Sequence, residues 1–558
     1  MRRLIPILLL LVVFSAAALA GDSAAVPAAA SVSSNDHGDA VLKAMLAELK
    51  RSQEKLQLGQ LQRPYYIDYQ VTEIQDNIAD ATLGALRTDQ VNSGRLVRVV
   101  VRIGDYKQDS YFGEGTGAVE VMPTDNDELA LRRQLWLATD KAYKSALSGF
   151  TEKQAALKSV ETETDLADFS QEKPAQSVRD LAKLDVDLDK WKQEVRTTSD
   201  LFRSDPRLEM SSAMLNFRVL NRYFVNTEGT VARNGKSIYT LLFSASDQSD
   251  DGMHLERSHG WVVIKGDELP KKEEVAEEAK KLIGSFAALK KAPLVEDDYR
   301  GPVLFSADAA TSIFERLIVP NILGIRPDLG NPARTNGEFA SYYKGRVLPE
   351  TFSVVDDPKA KEFDHHSLAG FYDVDDEGVE AQKVTVIEKG MLTNYLLGRE
   401  PIRDFPHSNG HGRTALAGAP RPQISNLIFK AEHSVSFDEL KKKLIQMCKD
   451  QGRPYGYFVE TTGPQLSPRL LWRIYVNDGH QELVRGAVFK QLDTRALRSD
   501  IVATGTDNYV YNRAEPLPSA IVAPSILFGE LDIQRANRTR EKLPQYPAPA
   551  LSSATASR

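Results

Sequence analysis

Four of the nine histidines of this 558-residue chain fall in one polar stretch, residues 363–413, which also holds a run of acidic side chains. Imidazole nitrogens and carboxylate oxygens are ligands that zinc prefers in proteins, and zinc with one open position activates water. One interpretation of this stretch is therefore a metal site. Its candidate ligands are His365, His366, His407, His411, Asp375 and Glu377.

The spacing of two of these histidines does not give the geometry of a zinc-protease helix. His407 and His411 are four residues apart, but the turn-forming dipeptide Asn409-Gly410 lies between them. We therefore expect a turn here, with the two imidazole rings on different sides of it. A metal site would have to form from ligands that meet at strand ends.

The same stretch also has a structural interpretation. Residues 384–387 and 391–396 have strand-like composition, and Lys389-Gly390 between them predicts a hairpin turn. The acidic run at 373–377 is typical of a turn in which aspartate side chains accept backbone N–H bonds. We favour this structural role, in which the glycines supply φ > 0 conformations. The residues assigned to structure or assembly are Asp376, Gly378, Asn409 and Gly410.

Composition indicates a globular protein and excludes one class of partner. The chain is 42% hydrophobic and long enough for two or three domains with sizeable cores. Its formal net charge is -7, so it lacks the basic footprint of nucleic-acid-binding proteins. Cys448 is the only cysteine, which excludes an intrachain disulfide and a zinc site of several thiolates. Ser436 and Glu439 predict a capped helix around it, with the thiol buried.

The first residues have the pattern of a secretory signal peptide. Arg2 and Arg3 precede an apolar run over residues 4–14, and Ala18-Leu19-Ala20 forms a small-residue cleavage site. We predict a signal peptide over residues 1–20, a flexible lead over 21–38 and an exported protein, either periplasmic or secreted. No later stretch approaches the roughly 18 continuous apolar residues of a membrane span.

Hydrophobic periodicity predicts an α+β fold in two domains. Residues 39–292 are expected to form an N-terminal α/β domain with a helical middle segment. Residues 296–535 are expected to form a C-terminal domain that is mostly antiparallel β. Within it, a helix is predicted over residues 308–319, ended by Pro320. The tail, 536–558, is rich in Pro, Ala and Ser and is expected to be disordered.

A series of short motifs in the second half of the chain resembles a known family. In order, the motifs read GPVLF (301–305), VVDDP (354–358), GFYDVDDEG (370–378), VIEKGML (386–392), SNGHGR (408–413), SNLIF (425–429) and APSIL (523–527). They resemble the TldD/PmbA family, whose members are described as metallopeptidases and were once named modulators of DNA gyrase. The resemblance implies a β-rich C-terminal domain behind an N-terminal α/β domain. It also implies a homodimer or heterodimer of related subunits that admits unfolded peptides.

The helix after GPVLF distinguishes two kinds of family member. Catalytic subunits carry HExxxH there, which supplies two zinc ligands and a general base. This chain has Phe314, Glu315 and Val319 at the corresponding positions, and neither Phe nor Val offers a lone pair. The family's third ligand, a cysteine toward the C-terminus, is missing because none follows Cys448. The pattern resembles the non-catalytic PmbA/TldE-type subunit, which implies a TldD-like catalytic paralogue as partner and no cofactor of its own.

Two alternatives to this silent-subunit interpretation stay open. In the first, the histidines and acids of residues 363–413 form a relocated zinc site, and the chain is an active metallopeptidase. In the second, the chain is an envelope interaction protein without a peptidase partner, because fold does not determine function. The silent-subunit interpretation carries its own structural expectation. Phe314 and Val319, with Ile313 and Leu317, should form an apolar surface that packs in the interior.

Overall fold

The computed structural model of the chain describes residues 37–111, 117–160, 166–205, 208–416 and 418–537. The predicted signal peptide, residues 21–36 of the predicted lead and residues 538–558 of the predicted tail lie outside these ranges. Within the described ranges, no helix is long and apolar enough to cross a membrane.

The first part of the chain forms a sheet of seven described strands with helices packed on it. The strands are β1 Tyr66–Thr82, β2 Ala85–Arg102, β3 Gly117–Met122, β4 Gln176–Val178, β5 Met210–Asn226, β6 Val231–Gln248 and β7 His254–Val263. The helices are α1 Ala40–Lys55, α2 Glu128–Leu157, α3 Leu188–Asp200 and α4 Lys272–Lys291. The strands pair in the order β3-β2-β1-β5-β6-β4, with β7 beside β6. All these pairs are antiparallel except β4 with β6.

Side-chain alternation along β1 and β2 builds the core under α1 and α2. Tyr69 pairs with Val99, Val71 pairs with Val97, and all four side chains are fully buried in one cluster with both helices. The ladder of the two strands extends past this core and continues through mixed polar and apolar pairs as far as Thr82. Backbone pairing of β1 with β5 on its other side supports this extension.

The second part of the chain forms a larger sheet of eleven described strands and two small two-stranded ladders. Its strands are β8 Tyr299–Phe305, β9 Phe352–Asp356, β10 Glu362–Phe363, β11 His366–Ser367, β12 Val384–Glu388, β13 Met391–Leu392, β14 Gly412–Arg413, β15 Arg421–Pro422, β16 Asn426–Ala431, β17 Tyr455–Thr462, β18 Pro468–Tyr475, β19 Gln481–Val484, β20 Ala487–Phe489, β21 Ile501–Arg513 and β22 Ser519–Arg535. The helices are α5 Ala307–Leu317, α6 Val319–Ile322, α7 Phe437–Asp450 and α8 Thr494–Ser499.

The larger sheet is organised around its longest strand, β22. The order is β13-β12-β9-β16-β22-β8-β17-β18-β19, and β20 and β21 also pair with β22. Most pairs are antiparallel, and only β16 with β22 and β8 with β17 are parallel among those described. Helix α5 packs on β22 within the main apolar core. The prediction of an α+β fold with a β-rich second half is confirmed, and the predicted domain boundary falls between α4 and β8.

The helix over residues 308–319 is shorter than its sequence predicts. Helix α5 begins after Ser306, whose hydroxyl accepts from the Ala309 N–H at 3.0 Å, and it ends at Leu317. A separate turn, α6, begins at Val319 and contains Pro320 near its start, where a proline is tolerated because its missing N–H would be unpaired anyway. Phe314 and Val319 therefore do not lie on one continuous helix.

The helix around the single cysteine agrees with the prediction. Ser436 and Glu439 form a complete capping box at the start of α7. Cys448 is fully buried on the apolar face of that helix. Burial raises the pKa of its thiol to about 11, so the thiol is protonated at neutral pH.

Candidate functional site

The acidic loop, residues 373–378, lies between the two sheets. Asp376 at its centre accepts from Arg222 Nη1 at 2.8 and 2.9 Å and from Gln70 Nε2 at 2.5 Å. Its backbone oxygen accepts from Arg98 Nη2 at 2.8 Å. These three partners stand on β5, β1 and β2 of the first sheet. Since Asp376 is 8% exposed, a buried charge-assisted network joins the first sheet to the second part of the chain.

Asp375 holds the turn of the acidic loop together. Its carboxylate accepts from the backbone N–H groups of Glu377 at 3.0 Å, Val379 at 2.9 Å and Gly412 at 2.9 Å. An aspartate that accepts several backbone bonds two and four residues ahead is a turn-stabilising residue. The loop then turns at Gly378, whose φ is +81°.

Two acids of this loop form a buried pair. Glu377 is 8% exposed and its Oε2 accepts from the Arg399 N–H at 2.7 Å. Burial raises the pKa of Glu377 to about 7, against the opposing effect of Arg399. Burial, together with the neighbouring Glu377, also raises the pKa of Asp375 well above its usual range. The folded pair therefore retains a proton that two exposed carboxylates would release.

This retained proton gives a testable pH dependence. The pKa of Glu377 rises from about 4.5 to about 7 on folding, so the folded protein binds more protons than the unfolded chain between those values. Stability contributed by Glu377 is full below about pH 4.5 and is lost as the pH rises through 7. We expect Glu377→Gln to reduce the fall in melting temperature between about pH 5 and about pH 8. Identical pH profiles for both proteins would contradict a shifted pKa at this site.

The four histidines of the same stretch lie in different surroundings. His365 and His366 are exposed at the small ladder of β10 and β11. His407 is also exposed, and its Nδ1 lies 3.5 Å from Glu172 Oε1. His411 is fully buried, with Nδ1 2.9 Å from Asn409 Oδ1 and Nε2 3.2 Å from Asp356 Oδ1. Both nitrogens of His411 face oxygen atoms inside the fold, so neither is open to a metal ion.

The structure does not bring the candidate ligands of the relocated zinc site together. Asp375 is occupied by backbone donors, Glu377 faces Arg399, and His411 is enclosed by oxygen acceptors. Within the described ranges, no group of three His, Cys, Asp or Glu side chains is arranged to hold a metal ion. The physical reason is that turns separate the histidines, and the buried one already has a full set of hydrogen-bond partners.

The positions that correspond to HExxxH also fail to provide a zinc site. Phe314 is fully buried, with its ring stacked on Phe429 at 4.0 Å between centroids and edge-on to Phe352 at 6.0 Å. Val319 is half-buried against the same core. Glu315 points away from it and pairs with Arg513 Nη1 at 2.8 Å. The residues present therefore do not fit the zinc ion of the family's catalytic subunits.

Sequence reasoning missed the partners that anchor these loops. No local sequence pattern indicates the partners of Asp376, which are Arg222, Gln70 and Arg98. Each of them lies on an ordinary strand far from residue 376 in sequence. Arg399 was also missed, although it is 1% exposed and binds Glu228 with two contacts of 2.7 Å. A basic residue beside a Gly turn is too common to single out. A further missed feature is a cleft over the outer face of α5, whose lining includes Asp308 and Ser312.

Comparison with known proteins identifies the second half of the chain. A family model described as the PmbA/TldA metallopeptidase C-terminal domain matches residues 298–535. This match places residues 298–535 in the TldD/PmbA family. The motifs from GPVLF to APSIL all lie within this match. The sequence-based resemblance is thereby confirmed at the level of the family.

Two curated relatives match part of the chain. A metalloprotease of Archaeoglobus fulgidus is 32% identical over 133 residues, which is 23% of this chain and 28% of that protein. A metalloprotease of Methanocaldococcus jannaschii is 36% identical over 96 residues, 17% of this chain and 20% of that protein. The chain thus matches less than a third of either relative's length.

Solved structures share the fold over nearly the whole chain. TldE from Thermococcus kodakarensis has a TM-score of 0.60 at 14% identity, covering 88% of this chain and 100% of that one. A Thermotoga maritima protein described as a modulator of a DNA gyrase has a TM-score of 0.57 at 15% identity, covering 84% and 96%. At such identities the likeness shows a shared fold alone, and it extends over both parts of the chain.

Proposed function

We propose that this protein is a non-catalytic PmbA/TldE-type subunit that pairs with a TldD-like relative carrying HExxxH, and that the pair admits unfolded peptides for proteolysis. The observation that carries the proposal is the position of Phe314. Where a catalytic subunit would present an imidazole, this chain packs a benzyl ring between Phe429 and Phe352 with no exposed surface. A ring that completes an aromatic core contributes stability, and it has no atom that binds zinc.

Glu315 gives independent support, because it stands where the family's general base stands. A general base acts on a water that a metal or another group has positioned within hydrogen-bond reach. The Glu315 carboxylate instead pairs with Arg513 across to β21. This pairing joins α5 to the adjacent strand and occupies the carboxylate. The side chain that catalysis would need therefore serves a structural contact.

We also propose that the subunit works outside the cytoplasm. This proposal is supported by residues 1–20, in which charged residues are followed by an apolar run and then by small residues, as in a secretory signal peptide. A single cysteine held as a buried, protonated thiol is compatible with an oxidising compartment. Under this proposal the catalytic relative would be exported as well, as a homologous chain with its own signal peptide.

The isolated chain provides the test of the silent-subunit proposal. Purified alone, it should bind less than about one equivalent of zinc after dialysis, because two of the three required ligands are replaced by Phe314 and Val319. It should also leave casein uncleaved. Stoichiometric zinc together with cleavage that a chelator abolishes would contradict the proposal. The relocated-ligand alternative predicts that second result, so the experiment separates the two functions.

A further inference from the structure

A cleft with both polar and apolar lining lies between the first sheet and the outer face of α5. It has a volume of about 550 Å³, within the range of sites for small molecules. Its floor consists of β5, β6 and β7, and its opposite wall consists of α5, the end of β17 and β21. The lining residues used below are Asn216, Arg257, Asp308, Tyr509 and Tyr511.

Among the described arginines that line this cleft, Arg257 is the one without a carboxylate at ion-pair distance. The three other arginines of the lining each pair with a carboxylate: Arg218 with Asp76, Arg469 with Glu256 and Arg513 with Glu315. Arg257 Nη1 donates to Thr461 Oγ1 at 3.0 Å, and its buried Nε has no hydrogen-bond partner among the described residues. Burial, together with the neighbouring Arg469, lowers the pKa of Arg257, and Glu460 and Asp308 act in the opposite direction.

Asp308 is the matching anionic side chain. It stands in the first turn of α5, and its carboxylate has neither a hydrogen bond nor an ion pair within the described ranges. Burial raises its pKa, and Arg257 acts in the opposite direction. The side chains of Arg257 and Asp308 interact electrostatically but do not form an ion pair. In the described part of the chain, Arg257 and Asp308 of this cleft are thus each without a charged partner at contact distance.

Further unpaired polar groups line the same space. Tyr509 and Tyr511 alternate along β21 and so share one face, and they are 39% and 36% exposed. Neither hydroxyl makes a hydrogen bond to any described residue. The Oδ1 atom of Asn216 on the floor is buried and also lacks a partner in the described part of the chain. Unsatisfied polar atoms in a folded protein require a partner, which here is water or a ligand.

We infer that this cleft binds a zwitterion, either a free amino acid or a short peptide with free ends, whose carboxylate pairs with Arg257 and whose ammonium pairs with Asp308. A phosphate or sulfate would satisfy the guanidinium but would be repelled by the carboxylate of Asp308. A simple cation would satisfy Asp308 and leave Arg257 unpaired. The tyrosine rings provide an apolar and hydrogen-bonding wall for the backbone between the two ends.

All of these residues belong to this chain, so binding does not require the catalytic relative proposed above. The two proposals can therefore fail independently. Failure to pair with a relative would leave the cleft and its charges unchanged. Failure to bind a zwitterion would leave the buried Phe314 and the missing zinc ligands unchanged.

Calorimetry with trialanine as the probe tests the cleft on the unmodified full chain. Trialanine with both ends free should bind. N-acetylation removes the ammonium and C-amidation removes the carboxylate, and each should weaken binding by at least about tenfold, since each loses one charge-assisted contact. No substitution is needed for this comparison, so an unfolded variant cannot confuse it. Equal affinity for the free and capped peptides, or no binding of free trialanine, would overturn the assignment.

Two variants locate the ends of the ligand. In Arg257→Ala, C-amidation of trialanine should no longer change the affinity, while N-acetylation should still weaken it. In Asp308→Asn, N-acetylation of trialanine should no longer change the affinity, while C-amidation should still weaken it. Arg87→Ala serves as the matched control, because Arg87 is an exposed arginine on β2 outside this cleft, and it should bind all three peptides like the parent chain. Variants that respond equally to both caps would contradict the proposed orientation.

Discussion

Phe314→Ala will lower the free energy of unfolding by about 3 to 5 kcal/mol, through lost burial and the cavity left behind. Phe314 is fully buried, and its ring contacts Phe429 and Phe352 in the main core of the second part. The neighbouring rings belong to β16 and β9, which are paired strands of the same sheet. They cannot close on the space without a shift of the sheet itself. Chemical denaturation monitored by circular dichroism measures the change.

The control for this prediction is an equally simple truncation at the surface. Leu129 on α2 is 77% exposed, so Leu129→Ala should change stability by no more than about 0.5 kcal/mol.

A histidine at both 314 and 319 should also destabilise the chain and leave it inactive, because the imidazoles would lack hydrogen-bond partners and a third zinc ligand. Phe314→Ala as stable as the parent chain would show that the ring is not part of the core. Tight zinc binding by the double-histidine variant would show a nearly intact active centre.

Gly410→Val will lower the free energy of unfolding by about 4 kcal/mol, from backbone strain and overpacking together. Gly410 has φ +75°, a conformation that a β-branched residue resists. A Cβ at this position would lie 2.5 Å from Glu380 O and 2.8 Å from Ala381 Cα. Both atoms belong to the backbone of the segment after the acidic loop. Relief of the clash would displace the loop that holds Asp376 between the two sheets.

Substitution of two other glycines distinguishes the cost of backbone strain from the cost of a steric clash. Gly452 has φ +66°, and no heavy atom lies within 4 Å of the position that a Cβ would occupy, so Gly452→Val should cost only about 1 to 2 kcal/mol. Gly378 has φ +81°, and the nearest neighbour of a Cβ there would be the Phe224 ring at 2.4 Å. A ring can rotate more easily than a backbone can move, so Gly378→Val should fall between the other two. Equal costs at all three positions would contradict the role of the Glu380 contact.

Local signals in the sequence predicted much of the fold. The capping box of Ser436 and Glu439, the turn at Lys389-Gly390 and the alternation of β2 each depend on residues a few positions apart. Their physical causes are equally local: a side chain that satisfies a helix N–H, a residue pair with φ > 0, and a strand with one buried face. Lys389 and Gly390 have φ values of +46° and +78°, and they join β12 to β13 as predicted.

The features that the sequence did not predict depend on contacts between residues that are distant in the chain. Gln70 and Asp376 are 306 positions apart and still form a 2.5 Å hydrogen bond, so no local pattern could indicate it. The end of α5 at Leu317 was missed because Pro320 is compatible with the first turn of a second helix as well as with the end of the first. The cleft was missed for a similar reason. Asn216, Arg257 and Asp308 come together only when the two sheets pack.

The most direct test of the silent-subunit assignment is purification of the protein from its native host under mild conditions, with mass spectrometry and metal analysis of what accompanies it. We predict a TldD-like relative with HExxxH, zinc in proportion to that relative, and chelator-sensitive cleavage of casein by the pair. The isolated chain should lack both the zinc and the cleavage. Recovery of this chain alone, or only with copies of itself, holding stoichiometric zinc and cleaving casein, would contradict the assignment.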